Sequence, residues 1–236
     1  LQGMAMKYAI EHWRRNMPRT MGTLYWQLND MWMGPSWSSL DWKGNLKALQ
    51  YMAKRFFSPL LVSGVENVDD KTVTIYATSD LPEETDGMVQ WTVTDIEGKS
   101  LNNGETHVTL AERSSQKVYT LSVAEQMKSH GRRDLLIWLK LIVGEEIVAD
   151  NLVLMSRPKH FTLTPPNIKT TVHSNGDVHT VTLTSDVPSL YVWLENPNST
   201  FSDNFFHLQA RKPYRLTVNA EDISGLVVKS LTDTYA

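Results

Sequence analysis

Hydrophobic periodicity changes once along this chain, near residue 60, and that change limits the folds open to it. Before it, apolar residues recur at helical spacing. Met6, Ile10, Trp13 and Met17 fall at i, i+4, i+7 and i+11, on one helical face. Lys7 and Glu11 lie four apart on another face, which reads as polar, and Pro18 ends the helix because it disfavours helical geometry just before it. A second helix is expected over Asn45–Phe57. Leu46, Leu49, Ala53 and Phe56 form its stripe, Asn45 its N-cap, and Ser58-Pro59 its stop. Between the helices, Met21–Leu28 is apolar, aromatic and weakly alternating. That pattern fits a strand covered on both faces, as in a parallel sheet or barrel.

After residue 60 the period becomes two. Val73, Ile75 and Ala77 alternate within a strand expected over 72–78. Further strands are expected over 87–95, 107–110, 118–122, 135–143 and 147–154, with one helical turn over 122–128. Turns are expected at Asp86-Gly87, Glu97-Gly98, Asn102-Asn103-Gly104, Gly131 and Gly144. Short strands at this spacing indicate an antiparallel sandwich. Ser156–Pro166 carries Pro158, Pro165 and Pro166, which oppose both helix and central strand, so a boundary is placed there. Alternation resumes over 168–173, 177–185, 190–194 and 214–219, with Asn175-Gly176 as a hairpin turn. The expected domains are 1–60, 61–157 and 158–236. The first is too short to close a core alone, and its helices and covered strand call for neighbours. The N-terminus has no signal-peptide pattern and does not begin with Met, so the numbering is expected to start inside a longer protein.

Composition removes several chemistries. The 236 residues are 41% hydrophobic and 21% charged, with a net charge of -3, so no general basic surface invites nucleic acid. No eighteen-residue apolar run suggests a membrane span. The absence of cysteine removes thiolate catalysis, disulfides and cysteine-ligated metals. The seven histidines show no metal-ligand spacing. His173 and His179 flank a hairpin turn and read as exposed strand residues. No GxSxG motif supports a serine nucleophile, and Ser36, Ser38 and Ser39 have no histidine close in sequence. No metal or cofactor is expected.

Four of the eight tryptophans fall between Gly22 and Trp42: Trp26, Trp32, Trp37 and Trp42. An indole is a flat apolar platform with one N–H donor, suited to the C–H face of a sugar, and Gln27, Asn29 and Asp30 beside it suit the sugar's polar rim. Trp13 continues a helical stripe and reads as packing, as does Trp42 in its polar turn. Trp26 ends the expected strand, where barrels of parallel strands carry their active sites. Asp30 and Asp41 flank the loop, but their spacing does not secure the carboxylate separation, about 5–5.5 Å for retention or about 6.5–9.5 Å for inversion, that a two-carboxylate glycosidase needs.

These residues carry a resemblance. "EHWRRNMPRTMGTLYWQLND", then "SWSSLDWKGNLKALQYMAKRFFSPLLVS", resembles the end of the catalytic barrel in β-mannosidases of glycoside hydrolase family 2. "YVWLENPNSTFSDNFFHL" is similar to their closing immunoglobulin-like domain. The resemblance implies a mostly β chain: two immunoglobulin-like β-sandwich domains preceded by the terminal helix–strand–helix portion of a (β/α)8 barrel. It implies removal of non-reducing terminal β-mannose with retention, by two glutamates on barrel strands outside the matched part. No residue of this chain is then catalytic, and the chain alone is expected to be inactive. Trp26 resembles the floor of the mannose subsite, with Asn29, Asp30 and Trp32 in the loop at its rim and Trp37 shaping that loop. The implied partners are a β-mannoside oligosaccharide and the rest of the same catalytic barrel, with no nucleic acid and no membrane. The sequence does not fix the compartment: periplasmic or secreted if the source is bacterial, lysosomal if it is animal. "MWMGP", 31–35, departs from the Cys-Trp-Pro of many relatives, which implies a differently shaped rim. The rival reading is a non-catalytic carbohydrate-binding or structural sandwich module. A protein-interaction sandwich is a third. An open Trp26 favours the enzyme, and a Trp26 enclosed by the sandwiches favours the rival.

Overall fold

The computed structural model describes residues 1–234. The chain forms two compact units, 1–94 with 100–161 and 95–99 with 162–236.

The first unit opens with α1 (Gln2–Arg15) and α2 (Ala48–Phe56). Their packing departs from the expected stripes. On α1 the buried residues are Gly3, Ile10, Glu11 and Arg14, while Trp13 is partly exposed. Gly3 is needed because a Cβ there would lie 2.7 Å from the Met52 Sδ of α2. Arg14 displaces the apolar stripe because it satisfies the end of α2. Its Nη1 donates to the Phe56 and Ser58 carbonyls, both at 2.7 Å, and its Nη2 reaches Asp80 at 2.8 Å. Helix-end carbonyls have no partner within the helix, and this guanidinium supplies one. Glu11, expected on a polar face, is buried. It pairs with Lys7 at 3.0 Å and accepts from Asn151 Nδ2 at 2.9 Å. The same Asn151 amide donates to Val62 O, so one side chain ties α1 to the sandwich. α2 begins three residues later than expected. Asn45 does not cap it but bonds Asp41 in the preceding turn, and Leu46 is exposed.

Residues 61–155 carry the period-two pattern into β1 (Leu60–Asn67), β2 (Thr72–Ser79), β3 (Thr85–Asp95), β4 (Ser100–Leu110), β5 (Ser114–Ser122), β6 (Leu135–Val143) and β7 (Glu146–Leu154). α3 (Ala124–His130) lies between β5 and β6. Two sheets, ordered β1-β2-β5 and β4-β3-β6-β7, enclose Val62, Val73, Ile75, Val89, Leu110, Leu135, Ile137 and Leu139. Burying each such aliphatic side chain contributes about 1.5–3 kcal/mol, which is why alternation decides these strands.

Two expected turns are strand instead. Asn102-Asn103-Gly104 lies within β4 and Asp86-Gly87 within β3. Gly104 pairs with Trp91, and a Cβ there would come within 2.4 Å of the indole. The glycine makes room for a ring and does not make a turn. β1 was not expected, because Ser63-Gly64 interrupts its apolar run. Gly64 sits against Val153, Val73 and Leu139.

The second unit holds β8 (Ile168–Asn175), β9 (Val178–Ser185), β10 (Ser189–Glu195), β11 (Thr200–Phe201), β12 (Phe206–Leu208), β13 (Tyr214–Asn219) and β14 (Val227–Lys229). Its sheets are β12-β10-β14 and β11-β13-β9-β8, around Val181, Leu183, Val192, Leu194, Phe206, Leu216 and Val218. The β8–β9 hairpin turns at Gly176-Asp177, one residue later than expected, with Gly176 at φ +58 and Asn175 ending β8 opposite Val178. His179, expected exposed, is buried: its ring nitrogens reach Ser174 Oγ at 2.8 Å and Ala220 O at 2.9 Å. No described helix is long and apolar enough to cross a membrane.

Candidate functional site

Residues 21–47 carry the tryptophan cluster, and they do not form the expected strand. Met21–Leu28 has no strand partner among the described residues. A strand exists through the ladder it makes with a neighbour, and none lies alongside this segment. Its side chains are open as well: Met21, Leu24, Trp26 and Leu28 are all exposed, where cover on both faces was expected.

The segment is nevertheless fixed at its far end. Leu40 N donates to Leu28 O at 2.9 Å, and Asp30 N donates to Leu40 O at 3.1 Å. These bonds make a short parallel bridge between Asn29 and Leu40, and Leu40 also bridges Leu46 in antiparallel sense. Tyr25 OH donates to Ser39 Oγ at 3.0 Å, and Ser39 Oγ donates to Leu28 O at 3.1 Å. From α1, Gln2 Nε2 donates to Trp37 O at 2.7 Å. The loop 31–37 therefore leaves and returns through one narrow neck.

Within the neck sits a compact polar cluster. Lys47 Nζ donates to Asp30 Oδ2 at 2.6 Å and to Ser38 Oγ at 2.8 Å, and lies 3.3 Å from Ser36 Oγ. Ser36 Oγ donates to the other Asp30 oxygen, and Ser38 Oγ donates to Leu40 O at 2.6 Å. The Lys47 ammonium, then the Ser36 hydroxyl, hold the Asp30 carboxyl below the usual carboxylate range.

The expected site residues thus divide. Trp26, Trp32 and Trp37 are 76%, 74% and 74% exposed. Asn29 is exposed and its amide donates to Asp30 O at 3.1 Å. Asp30 is buried, with its carboxylate turned into the Lys47 cluster and not out to the rim. Asp41 is a turn residue, accepting from Lys43 N, Asn45 N and Asn45 Nδ2, each at 2.8 Å. Asp30 and Asp41 are each bound in a separate structural role. Trp42, expected to pack, is half exposed, with Lys43 Nζ 5.1 Å from its ring centroid. Trp13 borders an open cavity of about 230 Å³ with Met17, Met21 and Phe57. Lys47 was not singled out in the sequence. It lies seventeen residues from Asp30, a spacing that no helix or hairpin rule connects.

Comparison with known proteins gives this arrangement a context. Residues 71–160 match the Mannosidase Ig/CBM-like domain model, and residues 163–234 match the Ig-fold domain model of mannosidases. Goat β-mannosidase is 31% identical across 100% of this chain, and β-mannosidase A of Aspergillus fumigatus is 31% identical across 96% of it. The chain spans 29% and 27% of those two proteins. Among solved structures, β-D-mannosidase from Dictyoglomus thermophilum superposes with a TM-score of 0.86 at 23% identity, covering 97% of this chain and 28% of that one. The exo-chitosanase of Amycolatopsis orientalis superposes with a TM-score of 0.74 at 16% identity, covering 97% and 32%. The structural likenesses establish the fold, and the sequence likeness runs from the tryptophan segment through both sandwiches. The chain belongs to the β-mannosidase family of glycoside hydrolases, as the counterpart of its C-terminal region.

Proposed function

We propose that this chain is the C-terminal part of a retaining exo-β-mannosidase that removes terminal β-D-mannose from oligosaccharides or glycoconjugates. In this reading the two sandwiches are scaffold. The tryptophan segment supplies one wall of the mannose subsite, with Trp26 as the platform, Asn29 at the rim, and Trp32 and Trp37 framing it. The catalytic carboxylates come from the rest of the barrel.

One observation carries the reading: three indoles stand open, Trp26 just before a tightly bonded neck and Trp32 and Trp37 on the loop that the neck closes. Burying an aromatic of 150–250 Å² is worth on the order of several kcal/mol, so a fold that keeps three such rings in water while ordering the chain beneath them calls for a ligand or a covering surface. The exposure of Trp26 disfavours the rival in which it packs between sandwiches. A stacked sugar uses the indole face, and the retaining mechanism needs two carboxyl groups about 5–5.5 Å apart, which neither Asp30 nor Asp41 is free to provide.

The test is turnover of nitrophenyl glycosides by the intact protein that contains this segment and by the 236-residue chain alone. Hydrolysis of the β-mannoside by the intact protein is expected, with β-mannose as the first-formed anomer and none by the chain alone. Preference for the β-glucosaminide, the linkage class of the exo-chitosanase neighbour, would contradict the substrate. Turnover by the chain alone would contradict the division of labour. Binding of β-mannosides without hydrolysis would favour a carbohydrate-binding module.

A further inference from the structure

We propose that the Asp30–Lys47 ion pair is a positioning device for the rim of the sugar site. It closes the neck of loop 31–37 and so sets where Trp32 and Trp37 stand, with Asp30 acting through the loop and not on the sugar. The inference rests on the mannoside reading above and gives Asp30 a different role within it.

The geometry argues this in three steps. First, both Asp30 oxygens are engaged, one by Lys47 Nζ at 2.6 Å and the other by Ser36 Oγ, and the side chain is buried. A carboxylate so placed is poorly disposed to receive a sugar hydroxyl.

Second, the partners span the loop. Asp30 stands where the loop departs, Ser36 and Ser38 where it returns, and Lys47 behind both. The three ammonium protons of Lys47 match its three acceptors, Asp30, Ser38 and Ser36. Ser38 N also donates to Ser36 Oγ at 3.1 Å. Beyond the neck lie Met31, Trp32, Met33, Gly34 and Pro35, and the first three are open to solvent.

Third, Lys47 sits against a local rule. It is the N-cap residue of α2 and makes no side-chain cap bond there. A cation at a helix N-terminus opposes the helix dipole, typically by about 0.3–1 kcal/mol. A local rule broken in this way calls for a compensating gain elsewhere. The Asp30 carboxylate supplies one, and what it supplies is closure of the loop.

Two readouts on Lys47→Met test the proposal, with Asp30→Asn as the milder second variant, Lys47→Arg as the conservative rescue and Lys229→Met as a control for loss of an exposed ion pair. Hydrogen exchange on the intact protein is expected to quicken in 30–38 while β6, 135–143, keeps its protection. In the intact enzyme, kcat/KM for the β-mannoside is expected to fall about 10–100-fold, chiefly through KM, since displacement of positioning groups by about 1 Å can cost 10²-fold. Lys47→Arg restores most of it, and Lys229→Met changes neither readout. Unchanged exchange over 30–38 in both Lys47→Met and Asp30→Asn overturns the positioning role. Faster exchange with an unchanged KM overturns the link from loop order to sugar and leaves the mannosidase reading standing. An intact wild-type protein inert to β-mannosides overturns that reading, while the exchange result still decides whether the ion pair holds the loop.

Discussion

Trp91 and Trp26 are the same residue put to opposite uses in one compact unit. Trp91, on β3, is 7% exposed, stacks on Tyr119 with centroids 4.4 Å apart, and covers Gly104 on the neighbouring strand. Trp138 nearby is buried too, and its Nε1 donates to Thr94 Oγ1 at 3.0 Å. In this sandwich the sequence supplies each large ring with a floor, a neighbour and, for Trp138, an acceptor. The segment 21–42 does the reverse. It spends its hydrogen bonds on backbone closure and on the Asp30–Lys47 cluster, and leaves its rings outside. Large apolar side chains are therefore stabilising in one region and available in the other. That availability, beside a tightly bonded neck, is the observation on which the proposed binding role of the second region rests.

The largest expected effect separates the two uses by stability. Trp91→Ala should cost about 3–5 kcal/mol, the range for truncating a buried aromatic. Trp26→Ala in the same chain should stay within about 0.5 kcal/mol, as for a surface change away from special features. Urea unfolding of both variants checks this, and equal losses would erase the contrast.

A smaller effect lies in pH. Asp30 has a depressed pKa in the folded chain, owing first to Lys47 and then to Ser36. The stability it contributes is therefore present above the unfolded carboxylate value of about 3.9 and is lost as pH falls through the lower folded value. The fluorescence of the loop tryptophans should hold steady from neutrality to about pH 4 and change only below the ordinary carboxylate range. In Lys47→Met the midpoint should move up, because the main cause of the depression is gone. An unmoved midpoint would show that Lys47 does not govern Asp30.

What the sequence disclosed follows the same division. Strands β2 and β13 were legible because their alternating residues meet a core formed within the same chain, β6 because its continuous apolar run is buried on both faces, and the hairpin near Asn175-Gly176 and the mostly β class were legible too. Elsewhere local pattern and tertiary demand pull apart. The Met6–Trp13–Met17 stripe is regular, yet Arg14 and Glu11 take the buried face because the carbonyls at the end of α2 and the Asn151 amide find hydrogen-bond partners in them. Asn102-Asn103-Gly104 has turn composition, but Trp91 uses the space above Gly104. Met21–Leu28 has the composition of a covered strand and meets no neighbouring strand among the described residues. At the site, the exposed rings were suggested by indole chemistry. The Asp30–Lys47 link was not, because only folding brings residues 30, 36, 38 and 47 together.

The most direct measurement of the central claim is kcat/KM for a β-mannoside with Trp26→Ala in the intact enzyme, beside the unfolding free energy of the same variant. The account predicts a loss of about 10²-fold or more, the scale expected when a group that positions the substrate is removed, with stability unchanged. An unchanged kcat/KM would contradict the platform role, and a loss explained by unfolding would return Trp26 to the packing role that Trp91 already fills.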